Sequence, residues 1–250
     1  FQRDCVPDMD PFLLYEIYAS REVGCAASHF LRIPGGAVSI GCSPENVFAL
    51  SGDELVFDVI AGTRPIMEDQ EDDSRCEAEL TSDPKEITEH EMALARCRTR
   101  MESLCHANSV QLDLHRSIRS LSRVRHLYSR LVGRLRSPMD FLDLVALHDP
   151  ALNSYPDELI PLSDPDDGPL QYYGGILGHV EAGWHSTYCY LNLRAILIKG
   201  HRLYTQGGVG VIAQSVPHLE LLEIYHKLRS VAEAVALWEN AYLQTEHSRG

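Results

Sequence analysis

Short hydrophobic runs separated by turn residues constrain the fold of this chain more than any other feature. Between residues 27 and 60 four such runs follow one another, with Gly, Pro and Asp at the breaks. Short apolar runs bounded by these residues are typical of β-strands, and connections this tight join antiparallel neighbours. The sequence therefore predicts an antiparallel meander, whose strands we place at 27–35, 36–42, 46–50 and 54–60.

The remaining pattern mixes predicted helices with further strands. An acidic stretch at 67–80 leads into a helix predicted at 83–104, and two more helices are predicted at 138–147 and 217–241. The last of these helices is amphipathic. The other predicted strands are at 109–121, 125–135, 171–181, 187–198, 201–205 and 208–214.

Several antiparallel strands with a few long helices predict an α+β fold of packed layers. A chain of 250 residues that is 44% hydrophobic can bury one sizeable core, so we expect a single domain over residues 1–250. Residues 149–170 are rich in Pro and Asp and predict an irregular loop. A loop this long is uncommon in a compact domain, so it is either functional or degenerate.

Two Glu-x-x-Glu pairs stand on two of the predicted helices, Glu86 with Glu89 and Glu220 with Glu223. Residues three apart lie on one helical face, so each pair can direct two carboxylates into one cleft. Four converging carboxylates repel one another unless a cation lies between them, and oxygen ligands suit a hard ion such as Mg²⁺. The pattern predicts a magnesium site.

Each pair also has a purely structural interpretation. Asp83 fits an N-cap, Pro84 a first helical turn, and Glu86 the glutamate that closes a capping box. Glu223 and Lys227 fit a surface ion pair at i,i+4 spacing. Spacing alone leaves both interpretations open.

Charge and cysteine usage narrow the class of partner. The formal net charge is −14 and the sequence pI is about 5.2, which argues against a nucleic-acid partner and favours a small molecule. Seven cysteines without a CxxC pair read as reduced thiols. No long apolar run or signal peptide is present, so we expect no membrane partner and a cytoplasmic location. Because the chain begins at Phe1 without Met, we expect its N-terminal portion to be missing.

Eight segments occur in an order and spacing that resemble one enzyme family. They are SPENVF, VIAGTRP, DPKEITEHEMALAR, VRHLYSRLVGRL, QYYGGILGHVEAG, LNLRAI, GGVGVIAQSVP and LELLEIYHK. Over residues 11–240 the chain resembles the chorismate-utilising enzymes: anthranilate synthase component I, isochorismate synthase, salicylate synthase and aminodeoxychorismate synthase. The resemblance implies an α/β sandwich, in which two stacked antiparallel sheets carry helices outside and the active site lies in the cleft between them.

The resemblance also implies ligands for the cation. Chorismate would bind on Mg²⁺, with Glu89 and Glu223 as direct ligands and with Glu86 and Glu220 supporting them, partly through water. Glu45 in SPENVF matches the glutamate that acts as general acid at the C4 hydroxyl in isochorismate synthases. A turn residue is its structural alternative.

Three further residues match positions that contact the substrate. His126 matches the histidine that lies close to the substrate ring and assists elimination, although a lone His on a strand is otherwise more often structural. Arg194 and Tyr173 match the residues that hold the enolpyruvyl carboxylate. An Arg between apolar strand positions needs an anionic partner to offset its desolvation, so here the functional interpretation is favoured.

The remaining matches are Gly62, Thr63, two glycines of the GGVG segment and Lys227. Gly62 and Thr63 match residues that contact the ring. Gly208 and Gly210 in GGVG let backbone N–H groups approach a carboxylate without obstruction by a Cβ. Lys227 matches a lysine near the second carboxylate, and an ion pair with Glu223 is the equal alternative.

Ala61 in VIAGTRP narrows the reaction. Aminodeoxychorismate synthases generally carry a Lys there as covalent nucleophile at C2, and Ala cannot attack. The chain therefore resembles the branch of the family that adds ammonia or water directly. Within that branch we expect a lyase similar to anthranilate synthase component I, which adds ammonia at C2 with loss of the C4 hydroxyl, with or without pyruvate elimination. A glutamine amidotransferase partner would supply the ammonia, because no Cys-His glutaminase signature is recognisable. Isochorismate or salicylate formation with water stays open.

Two segments depart from the family pattern. Residues 149–170 lack the family's Gly-Thr-x-x-Gly-Ala-Pro-Lys segment, and LARCRTR at 94–100 replaces its Asp-Leu-x-Arg-Asn-Asp. These changes indicate either a modified chorismate-like substrate or a degenerate, non-catalytic paralogue.

Overall fold

The computed structural model of the protein describes residues 2–4, 9–147, 172–181 and 186–247. The predicted loop at 149–170 lies outside the described residues. The elements in chain order are β1 (Gln2–Asp4), α1 (Pro11–Arg21), β2 (Ala27–Ile33), β3 (Ala37–Ser43), β4 (Asn46–Ser51), β5 (Glu54–Pro65), α2 (Gln70–Ser82), α3 (Pro84–Leu104), β6 (Gln111–Ser120), β7 (Val124–Arg134), α4 (Phe141–Leu147), β8 (Ile176–Val180), β9 (Ser186–Leu191), β10 (Ala195–Lys199), β11 (Arg202–Thr205) and α5 (Pro217–His247).

The strands form two antiparallel sheets, which confirms the predicted α+β fold. One has five strands in the order β1-β11-β10-β3-β2, and the other has six in the order β6-β7-β5-β4-β9-β8. The predicted single meander is wrong, because β3 and β4 pair with different sheets. The chain therefore crosses from one sheet to the other between Ser43 and Asn46, and Glu45 lies in that crossing.

Each sheet buries one face under helices. The five-stranded sheet packs against α1 and α5 through a cluster that includes Tyr18, Ile40 and Trp238. The six-stranded sheet packs against α3 through a second cluster, which contains Phe57 and Met101. The two layers also contact each other through polar groups: Arg194, next to β10, donates to His126 on β7, and the Tyr188 hydroxyl on β9 donates to the Ala26 carbonyl. None of the described helices is long and apolar enough to cross a membrane.

Three predicted element boundaries need correction. Residues 208–214 do not form a strand: the chain after Thr205 is irregular, and its glycines allow close approach to other groups instead of pairing in a ladder. The strand predicted at 187–198 is interrupted at Asn192–Arg194, where Arg194 adopts φ 51°. The acidic stretch at 67–80 mostly belongs to α2, whose N-cap Asp69 accepts from the amides of Glu71 and Asp72.

Helix α1 is not among the helices predicted from the sequence, although the sequence contains residues typical of a helix start. Asp10 caps it by accepting from the amide of Phe12, and Pro11 occupies the first turn. The helix packs on the five-stranded sheet and brings the buried Tyr18 toward the break before β10.

Candidate active site

A β-bulge at Gly62 turns Thr63 into the space between the sheets. The register of β5 with β7 passes from Ala61 opposite Leu127 to Thr63 opposite His126, so Gly62 is the extra residue. Because side chains alternate along a strand, one inserted residue moves Thr63 onto the face of His126. Gly62 adopts φ 82°, a conformation that favours glycine.

His126 joins the bulge to Arg194. Its Nε2 lies 2.8 Å from Nη2 of Arg194, and its Nδ1 lies 3.1 Å from Oγ1 of Thr63 and 3.2 Å from the carbonyl oxygen of Gly62. Arginine can only donate, so Nε2 accepts and the proton resides on Nδ1. Burial, assisted by the charge of Arg194, holds the pKa of His126 well below its usual value. His126 is therefore a neutral acceptor that orients the guanidinium.

Arg194 is a buried cation without a carboxylate beside it. It is 7% exposed, and among the described residues no carboxylate lies within ion-pair distance of its guanidinium. Burial lowers the pKa of Arg194, with Glu22 as the largest opposing charge. Its carbonyl oxygen accepts from the hydroxyl of Tyr18 at 3.0 Å, which holds the strained backbone. Four guanidinium N–H groups remain for an anion.

Tyr173 lies in a turn that is fastened to the segment carrying Arg194. The amide of Gly174 donates to the carbonyl of Asn192 at 3.0 Å, and the Asn192 side chain donates to the carbonyl of Tyr172 at 2.6 Å. Burial raises the pKa of Tyr173. A Cβ at Gly208 would stand 3.2 Å from the Tyr173 hydroxyl, so the glycine lets the GGVG segment approach this ring.

The carboxylate of Glu86 is held by protein donors on both oxygens. Its Oε2 accepts from the amide of Thr63 at 2.8 Å, and its Oε1 accepts from Nη1 of Arg64 at 2.7 Å. Asp83 is the N-cap of α3 as predicted, with the amide of Lys85 as donor at 2.8 Å. The capping-box interpretation of Glu86 is wrong, because the Asp83 amide donates instead to the carbonyl of Glu79. Glu86 thus braces the bulge against α3.

Lys85 stands among three of the four predicted carboxylates. Its Nζ lies 3.0 Å from Glu89, 3.2 Å from Glu220 and 3.4 Å from Glu86. Burial alone would lower the pKa of Lys85, but these carboxylates raise it well above the usual range. The ammonium therefore bridges α3 and α5.

The fourth carboxylate has its own cation. Nζ of Lys227 lies 2.6 Å from Oε1 of Glu223 and donates to the carbonyl of Gly208 at 3.2 Å. The predicted i,i+4 ion pair is present, and it also ties α5 to the GGVG segment. Burial raises the pKa of Glu89, and the charge of Glu223 contributes to that rise, so the two glutamate pairs share one electrostatic environment.

The carboxylates where α3 meets α5 are ligands of the type that a hard divalent cation prefers. All four donors are carboxylates, and Oε2 of the 8%-exposed Glu220 is buried without a hydrogen-bond partner. A Cβ at Gly210 would lie 2.7 Å from Oε1 of Glu89, so the glycine lets this segment approach that carboxylate closely. In the part of the chain that is described, no three His, Cys, Asp or Glu side chains already converge as ligands. Mg²⁺ at this place stays a prediction.

Glu45 is half-buried in the crossing between the sheets. Desolvation raises its pKa to about 8, with Asp58 adding to the rise and Lys227 opposing it. The carboxyl group therefore keeps its proton at neutral pH. A protonated carboxyl near a cleft is suited to donate a proton to a leaving group.

In a comparison of the sequence with family models, residues 2–233 match the chorismate binding enzyme model. The chain belongs to the chorismate binding enzyme family. Anthranilate synthase component 1 of Methanothermobacter thermautotrophicus is 30% identical over 91% of this chain and 49% of its own length. The Streptomyces coelicolor protein of that name is 32% identical over 85% of this chain and 42% of its own length.

Solved structures of chorismate binding enzymes share the fold. Anthranilate synthase component I from Streptococcus pneumoniae superposes with a TM-score of 0.74 and 22% identity, over 92% of this chain and 51% of its own. The menaquinone-specific isochorismate synthase from Escherichia coli gives 0.76 and 18%, over 92% of this chain and 54% of its own. The chain thus spans about half the length of these relatives.

One residue of this family member that holds the site together has no prediction from the sequence. His90 on α3 is fully buried, and its Nδ1 lies 3.1 Å from the carbonyl oxygen of Ala61 while its Nε2 lies 2.7 Å from Oγ of Ser129. A carbonyl only accepts, so Nδ1–H donates and Nε2 accepts from the serine hydroxyl. Its position one helical turn after Glu86 is the signal that could have identified it.

Proposed function

We propose that this chain is the chorismate-binding part of a Mg²⁺-dependent lyase resembling anthranilate synthase component I. In the proposed reaction ammonia adds at C2 of chorismate and the C4 hydroxyl leaves, with pyruvate eliminated when the product is anthranilate. The family membership supports chorismate as the substrate class, and the arrangement of charges in the site supports binding of a substrate with two carboxylates.

The observation that carries the proposal is the separation of charge within the site. Arg194 is a buried guanidinium with no described carboxylate within ion-pair distance, whereas α3 and α5 bring four carboxylates to one junction. A substrate with two carboxylates fits such a site, because one can bind the guanidinium and the other a cation held by the glutamates. Charge-assisted pairs in a desolvated cleft orient as well as bind.

The side chains then have distinct tasks. Mg²⁺, when bound, would neutralise a substrate carboxylate and stabilise charge that moves as the C4 hydroxyl leaves. Glu45 holds a proton that it can give to that hydroxyl, because its pKa is raised to about 8. His126 positions Arg194, and Tyr173 closes the same side.

One observation favours ammonia, and another keeps water as the second candidate. Ala61 cannot act as a covalent nucleophile at C2, which leaves direct addition of ammonia or water, and the relatives from Methanothermobacter thermautotrophicus and Streptomyces coelicolor are anthranilate synthase components. A protonated Glu45 is the group expected for isochorismate or salicylate formation with water. A glutamine amidotransferase subunit is the proposed ammonia source.

The test supplies the chain with chorismate, Mg²⁺ and ammonium chloride, and then with chorismate and Mg²⁺ alone. Anthranilate is followed by fluorescence, pyruvate by a coupled dehydrogenase, and isochorismate or salicylate by chromatography. Glu89→Gln and Glu223→Gln should lose activity, because each removes a charged ligand from one helix. Glu91→Gln is the matched control, since Glu91 lies on the same helix and pairs at the surface with His115.

Ammonium-dependent anthranilate would support the proposal, and water-derived products would favour the second candidate. Magnesium-dependent binding of chorismate without any product would indicate the degenerate paralogue. Full activity in both glutamine variants would contradict the proposed metal site.

A further inference from the structure

The ammonium of Lys85 occupies the centre of the carboxylate junction. Nζ of Lys85 lies 3.0 Å from a carboxylate oxygen of Glu89 on its own helix and 3.2 Å from one of Glu220 on α5. A carboxylate oxygen of Glu86 lies at 3.4 Å. An ammonium has three N–H donors, so three carboxylates use its full capacity. Its side chain is only 16% exposed, which limits screening by solvent.

Two lysines do not balance four carboxylates. Lys227 is engaged with Glu223 and the Gly208 carbonyl, and Arg64 pairs with Glu86 and Asp83, so Lys85 is the described cation that contacts Glu89 and Glu220. Oε2 of Glu220 remains buried without a partner. The four carboxylates outnumber the cations that contact them, and one of these, Arg64, also pairs with Asp83, so the junction keeps an excess of negative charge that a divalent cation would offset.

We propose that Lys85 is the resident counter-cation of this site. In the metal-free protein it holds α3 and α5 together, and a divalent cation that enters must share the carboxylates with it. Lys85 therefore stabilises the metal-free fold and weakens metal binding. The inference rests on the metal site of the proposed function. Within that site, Lys85 determines how tightly the divalent cation binds.

The direction of both effects follows from electrostatics. Removing the ammonium leaves buried carboxylates facing one another, which destabilises the metal-free protein. The same change removes repulsion between a single and a double positive charge a few ångströms apart. Even at the dielectric constant of water this repulsion corresponds to about a tenfold change in affinity.

The experiment measures Mg²⁺ binding by calorimetry with magnesium chloride and no substrate, and the melting temperature with chelator and with Mg²⁺. The variants are Lys85→Met, which removes the charge, and Lys85→Arg, which keeps it. Lys199→Met is the matched control, because the chain has three lysines and Lys199 is exposed at the end of β10.

The expected result is that Lys85→Met melts several degrees lower in chelator, regains that loss in Mg²⁺, and binds Mg²⁺ about tenfold tighter or more. Lys85→Arg and Lys199→Met should bind like the wild type. Affinity that is unchanged or weaker in Lys85→Met would overturn the inference, as would absence of Mg²⁺ binding in every variant. Tighter Mg²⁺ binding without turnover of chorismate would support Lys85 while refuting the proposed reaction.

A second variant covers the case in which Lys85→Met does not fold in chelator. Lys85→Met combined with Glu220→Gln removes one positive and one negative charge together. It should restore folding without metal, because the balance of the wild type returns. If the double variant is as unstable as the single one, Lys85 acts through packing and the inference fails.

Discussion

Replacing Arg194 by Met should make ligand-free protein no less stable while abolishing binding of an anionic substrate. The guanidinium is 7% exposed, and its described polar partner is the neutral Nε2 of His126. Desolvation of an ion costs several kcal/mol in folded proteins, so its removal relieves that penalty. The change also leaves the His126 nitrogen buried and unpaired, which costs about 1–3 kcal/mol.

The two contributions oppose each other, so the free energy of unfolding of Arg194→Met should lie between that of the wild type and about 2 kcal/mol above it. Binding responds differently. Loss of a charge-assisted bond in a desolvated site costs about 2–5 kcal/mol, which raises the dissociation constant about 30-fold to several thousand-fold.

Urea unfolding in chelator measures the first quantity, and calorimetry with chorismate in the presence of Mg²⁺ measures the second. Arg202→Met is the matched control, because Arg202 pairs with Asp4 on an exposed surface. It should change neither. The reasoning is refuted if Arg194→Met loses more than about 2 kcal/mol of stability and keeps its affinity within threefold, since Arg194 would then be a structural strut.

Two further predictions concern Glu45 and His90. Glu45 should show a protonated-carboxyl infrared band at pH 7 that disappears with a midpoint near pH 8 and is missing in Glu45→Gln. Because unfolded Glu releases its proton near pH 4.3, stability should fall as pH rises between these values, and Glu45→Gln should lack that fall. His90→Ala should lose about 2–5 kcal/mol in urea unfolding, since it removes the side-chain donor to the Ala61 carbonyl and the acceptor of the Ser129 hydroxyl proton, whereas the exposed His115→Ala should lose under 1 kcal/mol.

Local sequence signals determined most of the secondary structure and the pairing of carboxylates along helices. The i,i+3 spacing of Glu86 and Glu89, and of Glu220 and Glu223, holds in α3 and α5 because helical geometry is set within a few residues. Asp83 caps its helix for the same local reason. The collinear motifs also identified the family, which the comparison confirms over residues 2–233.

The tertiary structure alone decided which charges meet. The contact of Lys85 with Glu220, the donation from Arg194 to His126 and the support of Arg194 by Tyr18 each join elements far apart in the chain. No local periodicity encodes such contacts, because they depend on how two sheets and their helices pack. The same reason explains why the strand predicted at 208–214 is wrong. Gly208 and Gly210 lie against Tyr173 and Glu89, which belong to other parts of the fold.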